Sequence, residues 1–245
     1  MVILKVANLN KAFGGRTVVS GVSFHVRQGE IVALLGRNGA GKTTSFRMTI
    51  GMISPDDGQV VFEGHDVTRF PMYRRARLGM GYLAQEPSVF QRLTVEQNLK
   101  AILETRPLTR KQQRAAAERL LSQFDLAKLR KQQARTLSGG ERRKLEIARA
   151  LITEPSLVLL DEPFSGVDPV AVEELQEEIR RLRDQENIAV LVTDHNVQRT
   201  LEVCDRAYIL HEGKRLREGP PRDLINDEMV KQVYLGSTFR GDEFG

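Results

Sequence analysis

The chain has 245 residues, 40% hydrophobic and 28% charged, with 20 glycines and 9 prolines, a globular balance that excludes collagen-like and low-complexity classes. Lys and Arg outnumber Asp and Glu by 37 to 32, a net charge of +5 that by itself hints at nucleic acid or a membrane surface. Apolar runs such as 31–35 and 157–160 fall far short of the roughly 20 residues of a membrane span, MVILKVANLN lacks the features of a secretory leader, and the lone Cys204 allows no internal disulfide, which suits a reducing cytosol.

Short apolar runs of strand type alternate with longer segments of helical period, the pattern of a parallel sheet covered by helices. The first buried strand is predicted at 30–35 (EIVALL). It runs into Gly36-Arg37-Asn38-Gly39-Ala40-Gly41-Lys42-Thr43, and a helical pattern follows from Thr44. Strand, G-x-x-x-x-G-K-[ST] and helix in that order define a P-loop. The glycines let consecutive backbone N–H groups turn toward phosphate oxygens, and the helix presents its positive end. Lys42 is expected to reach the β- and γ-phosphates, and the Thr43 hydroxyl to ligate Mg²⁺.

The stretch 82–152 breaks the rhythm and is predicted to be a helical insert. A strand-like GYL precedes Gln85, and two capping boxes, Thr94 to Gln97 and Thr109 to Gln112, open helices. Between Arg106 and Arg135 nine basic residues face only Glu118 and Asp125. Such a run reads as a solvated helix face, and no aromatic RNA motif or zinc spacing accompanies it. Ser138 and Glu141 form a third capping box, and Gly139-Gly140 at that helix start make a second anion-binding surface.

A buried strand at 157–160 ends in Asp161-Glu162, where open α/β sheets bind ligands. Asp161 is expected to hold the Mg²⁺ shell and Glu162 to polarise the attacking water as general base. Asp168-Pro169 marks the N-cap and first residue of a helix near 169–184. A strand at 188–193 follows, then a strand pair joined through Glu212-Gly213-Lys214 and short C-terminal helices.

P-loop, LSGG signature and LVLLDEP in this order resemble the ATP-binding cassette (ABC) ATPases over nearly the whole chain. The resemblance implies an α/β P-loop NTPase, one ABC ATP-binding domain over 1–245. Its parts are a RecA-like core (about 1–85 and 153–236), a helical signature subdomain (about 86–152), a small antiparallel β part and a short tail (237–245). It implies ATP and Mg²⁺ as cofactors and a head-to-tail homodimer. In that dimer Ser138, Gly139, Gly140 and Glu141 of one subunit close over the ATP held by residues Gly36 to Thr44 of the other, Thr44 included. Glu162, His195 and Gln85 become the catalytic set, with His195 on the γ-phosphate and Gln85 touching both Mg²⁺ and water. Thr43, Gln85 and, through water, Asp161 become the Mg²⁺ set. Asp168 in SGVDP falls at the dimer interface, and Phe13 stacks on adenine. Arg37 and Ala84 stand where the family more often has proline.

A single cassette without a membrane span implies separate membrane subunits. Val89, Phe90, Arg92 and Leu93 are expected to form the dock, since exposed apolar residues beside an Arg suit a partner helix; the plainer alternative folds them back onto the insert. The stretches GYLAQEPSVFQRLTVEQNL, LSGGERRKLEIARAL, VTDHNVQRTLEVCDRAYIL and VKQVYLGSTF are similar to ATPases of lipopolysaccharide export. That implies a homodimer beneath two transmembrane permease subunits, peripheral on the cytoplasmic face of the inner membrane, without membrane insertion or nucleic acid. A branched-chain amino-acid importer is the alternative, and a nucleic-acid-directed cassette a more distant one.

Overall fold

The computed structural model describes residues 1–235; the tail at 237–245 and the end of VKQVYLGSTF lie outside the described residues. Strands β1 (Val2–Phe13) and β2 (Arg16–Arg27) form a hairpin around Gly14-Gly15, both in left-handed backbone. β3 (Ile31–Gly36) leads through the P-loop into α1 (Lys42–Ile50). β4 (Asp57–Phe62) and β5 (His65–Asp66) complete an antiparallel sheet of order β2-β1-β4-β5.

Next come α2 (Met72–Arg77), β6 (Met80–Leu83), α3 (Val95–Leu103), α4 (Arg110–Gln123) and α5 (Gly139–Leu151). The chain continues with β7 (Leu157–Asp161), α6 (Pro169–Asp184), β8 (Ala189–Thr193) and α7 (Val197–Leu201). It closes with β9 (Arg206–His211), β10 (Lys214–Gly219), α8 (Pro221–Asn226) and α9 (Glu228–Val230). The second sheet runs β10-β9-β3-β8-β7-β6, parallel except for the edge strand β10.

Every residue of β3, β7 and β8 is buried, because alternate side chains feed different cores. Val32, Leu34, Leu157, Leu159 and Leu191 meet the antiparallel sheet and Phe46, Met48 and Ile50 of α1. Ala33, Leu35, Val158, Leu160 and Val192 meet a core shared with α3 to α6, through residues such as Leu99, Leu120, Leu145 and Ile179. All three capping boxes form reciprocally, at Thr94, Thr109 and Ser138, and each such cap removes an unpaired N–H at a helix start. The strand predicted at 188–193 starts one residue later, with Ile188 packed into the core beneath it.

Arg75 of α2 is 1% exposed. Its guanidinium donates to the carbonyls of Phe70 (2.8 Å), Met48 (2.9 Å), Thr49 (2.6 Å) and Thr68 (3.0 Å). Met48 and Thr49 lie in the last turn of α1, where free carbonyls and the helix dipole favour a cation. Burial pulls the Arg75 pKa down to about 10, which keeps it charged at neutral pH. Arg75→Met strands those carbonyls without donors, and we expect a loss of about 3 kcal/mol or more in a urea melt. An unchanged midpoint would show that α2 and α1 do not depend on this tie.

Candidate functional site

The P-loop is shaped from behind. A Cβ on Gly36 (φ 149°) would lie 2.3 Å from the Leu210 carbonyl oxygen, and one on Gly41 (φ 93°) 2.9 Å from that of Val18. β9 and β2 therefore press on the loop's far side. Gly39 has open space around it, and its φ of 80° is what selects glycine there. Arg37, Asn38 and Gly39 are exposed, Ala40 is buried, and Thr43 and Thr44 are half-buried in the first turn of α1. The Lys42 ammonium lies within the loop and donates to the carbonyls of Gly36 (2.6 Å) and Arg37 (3.2 Å). Burial lowers its pKa, opposed by the charges of Glu162 and Asp194.

The opposing side comes from the carboxyl ends of β6, β7 and β8. Asp161, the last residue of β7, is 3% exposed, has the Tyr82 hydroxyl 3.4 Å from its Oδ2, and is pushed up in pKa by burial. Glu162 follows in left-handed backbone (φ 46°), a conformation that costs a side-chain-bearing residue roughly 1 kcal/mol or more. Its N–H donates to the Thr193 carbonyl at 2.7 Å, which locks this turn against the end of β8. The Glu162 Oε2 accepts from Gln85 Nε2 at 2.8 Å and lies 3.3 Å from His195 Nδ1. Gln85, Glu162 and His195 thus meet around one carboxylate oxygen.

Sequence reasoning missed Asp194. It is fully buried, accepts from the N–H groups of Phe164 (2.9 Å) and Asn196 (2.8 Å), and lies 3.5 Å from His195 Nδ1. Burial raises its pKa against those bonds. The only signal in the sequence was a charge closing an otherwise apolar strand.

Phe13 is half-exposed at the end of β1, with the Lys11 ammonium 5.5 Å from its ring centroid. Ser138, Gly140 and Glu141 line a separate cleft between α5 and α6, together with Asp168 and Val170. Asp168 caps α6 by accepting from the Ala171 N–H at 3.1 Å. The expected dock needs a correction at Val89, which is 7% exposed and packed into the helical core, so it offers no surface. Phe90, 46% exposed, and Arg92 remain outside, and Leu93 is half-buried. Buried Asn98 of α3 pins this loop: its Oδ1 accepts from the Phe90 N–H, and its Nδ2 donates to the carbonyls of Phe90, Leu93 and Thr94.

Among the described residues no group of three or more His, Cys, Asp or Glu side chains gathers as a metal cluster, and no helix is long and apolar enough to cross a membrane. The ABC transporter family model matches residues 19–165. The lipopolysaccharide export system ATP-binding protein LptB of Acidithiobacillus ferridurans is 50% identical over 238 residues, covering 97% of this chain and 98% of that protein. LptB of Haemophilus influenzae is 50% identical over 241 residues, covering 98% and 100%. Among solved structures, MJ1267, an ATP-binding cassette of an ABC transporter in its ADP conformation, superposes with a TM-score of 0.86 at 28% identity, covering 97% of this chain and 100% of that one. With a P-loop facing a Glu162 carboxylate and a family match over more than half its length, the chain belongs to the ABC transporter family and is one of its ATP-hydrolysing cassettes.

Proposed function

We propose that the chain powers lipopolysaccharide export as a homodimer docked on two transmembrane permease subunits at the cytoplasmic face of the inner membrane. The observation that carries this reading is the 50% identity to LptB proteins over 238 residues, which is not confined to the phosphate site. The chain acts as one cassette over 1–245, with the helical signature part at about 86–152 and the RecA-like core on either side of it.

The P-loop N–H groups and Lys42 hold the ATP phosphates, and Phe13 stacks on the adenine. Glu162 takes the proton of the attacking water as its oxygen bonds to the γ-phosphorus and the bond to the bridging oxygen breaks, leaving ADP and phosphate. Gln85 orients that water from the same carboxylate oxygen. His195 turns Nδ1 toward Glu162 and Asp194, which leaves Nε2 for a γ-phosphate oxygen and the charge that develops there. Asp161 fits a hard cation, because among the described residues its buried carboxylate has one long hydrogen bond, from the Tyr82 hydroxyl at 3.4 Å. With Thr43 and Gln85 it would hold Mg²⁺, which neutralises phosphate charge when bound. The cleft lined by Ser138, Gly140, Glu141 and Asp168 suits the partner subunit's nucleotide, with the α5 N-terminus, Gly139 included, facing its γ-phosphate.

Depleting the chain in its host and fractionating the membranes tests the substrate. Lipopolysaccharide trapped at the inner membrane is expected, whereas normal outer-membrane lipopolysaccharide with lost leucine uptake would favour an importer. The docking role has its own prediction. Phe90→Ala with Arg92→Ala should cut copurification with membrane subunits about tenfold, and the isolated chain should keep its ATPase rate. Equal loss of both would make these residues part of the fold rather than a partner surface.

A further inference from the structure

We propose that Arg143 and Glu146, a buried ion pair on α5, are positioning residues for Gln85 that grip the backbone on either side of it. The proposal rests on Gln85 acting at the hydrolytic site. The two side chains are 7% and 4% exposed and pair at 3.0 Å. Arg143 Nη1 also donates to the Ala84 carbonyl at 2.9 Å, and Glu146 Oε1 accepts from the Ser88 N–H at 2.6 Å. One turn further along α5, Arg149 donates to the Ser88 carbonyl at 2.6 Å, and its guanidinium lies 4.7 Å from the Phe90 ring centroid.

Residues 143, 146 and 149 recur at a spacing of three and so share one helix face. That face meets the 84–90 loop at Ala84, Ser88 and Phe90, while Asn98 of α3 holds its far end. The Gln85 side chain itself borders a cleft of about 130 Å³ shared with Gly139, Arg142 and Glu162. Gln85 is exposed, so beyond its own 2.8 Å bond to Glu162 its placement depends on the backbone bonds at Ala84 and Ser88. Stability does not explain the pair, because burying two charges usually gains nothing over an apolar pair of similar volume. What the charges add is directed bonding to two backbone groups that flank the residue touching Glu162. The same helix begins at Ser138–Glu141, so displacement of the signature end is transmitted to Gln85 through a rigid element.

The test uses the full chain and steady-state MgATP hydrolysis. Arg143→Met with Glu146→Leu roughly keeps the volume, removes both charges together and leaves the Ala84 carbonyl and the Ser88 N–H to water, so rates are read well below the melting temperature. It should lower kcat about tenfold or more while KM for ATP stays within about twofold, because a misplaced group costs rate rather than binding. Arg143→Lys with Glu146 kept retains a long cationic donor toward the Ala84 carbonyl and the acceptor for the Ser88 N–H, and should hold kcat within about threefold of the parent. Added to Gln85→Ala, the Met/Leu pair should cause no further loss, since both act through one residue. A parental kcat in the Met/Leu variant would overturn the proposal. So would losses that multiply with those of Gln85→Ala, or a kcat in Arg143→Lys as low as in the Met/Leu variant. A parental rate in Gln85→Ala alone would instead refute the assignment of Gln85, and the proposal would fall with it.

Discussion

Glu162→Gln is expected to slow ATP turnover by roughly 10² to 10⁴, the usual contribution of a general base, while ATP binding is retained. The amide is isosteric and can still accept from Gln85 Nε2, which lies 2.8 Å from Glu162 Oε2 in the parent. What disappears is the basic lone pair that, as proposed, takes the proton of water. With hydrolysis blocked, two copies should remain closed around two ATP molecules. Size-exclusion chromatography with and without MgATP should then show a nucleotide-dependent shift from monomer to dimer. Turnover within a few-fold of the parent would refute the general-base role, and an unmoved elution position would refute sharing of each site between two copies.

Lys42→Ala should behave differently, lowering affinity and turnover together. In the proposed role the ammonium interacts with phosphate charge in the ground state as well as the transition state, so its loss would not be confined to the chemical step. Charge-assisted bonds of this kind support an expected loss of about 100-fold in ATP affinity, measured by isothermal titration. The loop should survive the substitution, because the contacts that shape it come from Leu210 and Val18 rather than from the bonds of Lys42 to Gly36 and Arg37. Unchanged affinity would mean that the backbone N–H groups alone hold the nucleotide.

The phosphate chemistry was legible because it dictates residue type and spacing locally: Gly36 to Thr43, the Ser138–Glu141 cap and the Asp161-Glu162 strand end can each be read within a few residues. β1 and β2 were harder, since each is 12 residues long with mixed burial, and their register shifts between Val6 and Leu9 and again around Lys11. Such bulges erase the clean alternation that marks a strand. Val89 misled because one apolar residue in a short irregular loop has no period, and only its contact with the helical core shows which way it faces. Asp194 was opaque for a related reason, because its partner at Phe164 lies 30 positions away. The second reason for glycine at positions 36 and 41 was equally hidden, since the atoms that exclude a Cβ belong to β2 and β9.

That far-side packing has a kinetic consequence. The Gly213 N–H also donates to the Ala40 carbonyl at 3.1 Å, so the turn between β9 and β10 is stitched to the loop. A cradle whose curvature is settled when the chain folds requires no ordering on nucleotide arrival, and preorganisation of this kind removes an entropic penalty from association. Capture of ATP is then expected to be governed by diffusional encounter rather than by loop rearrangement. Lesions in the β9–β10 turn, far along the chain from the glycine-rich segment, would emerge as slowed nucleotide uptake although none of the altered atoms meets the ligand.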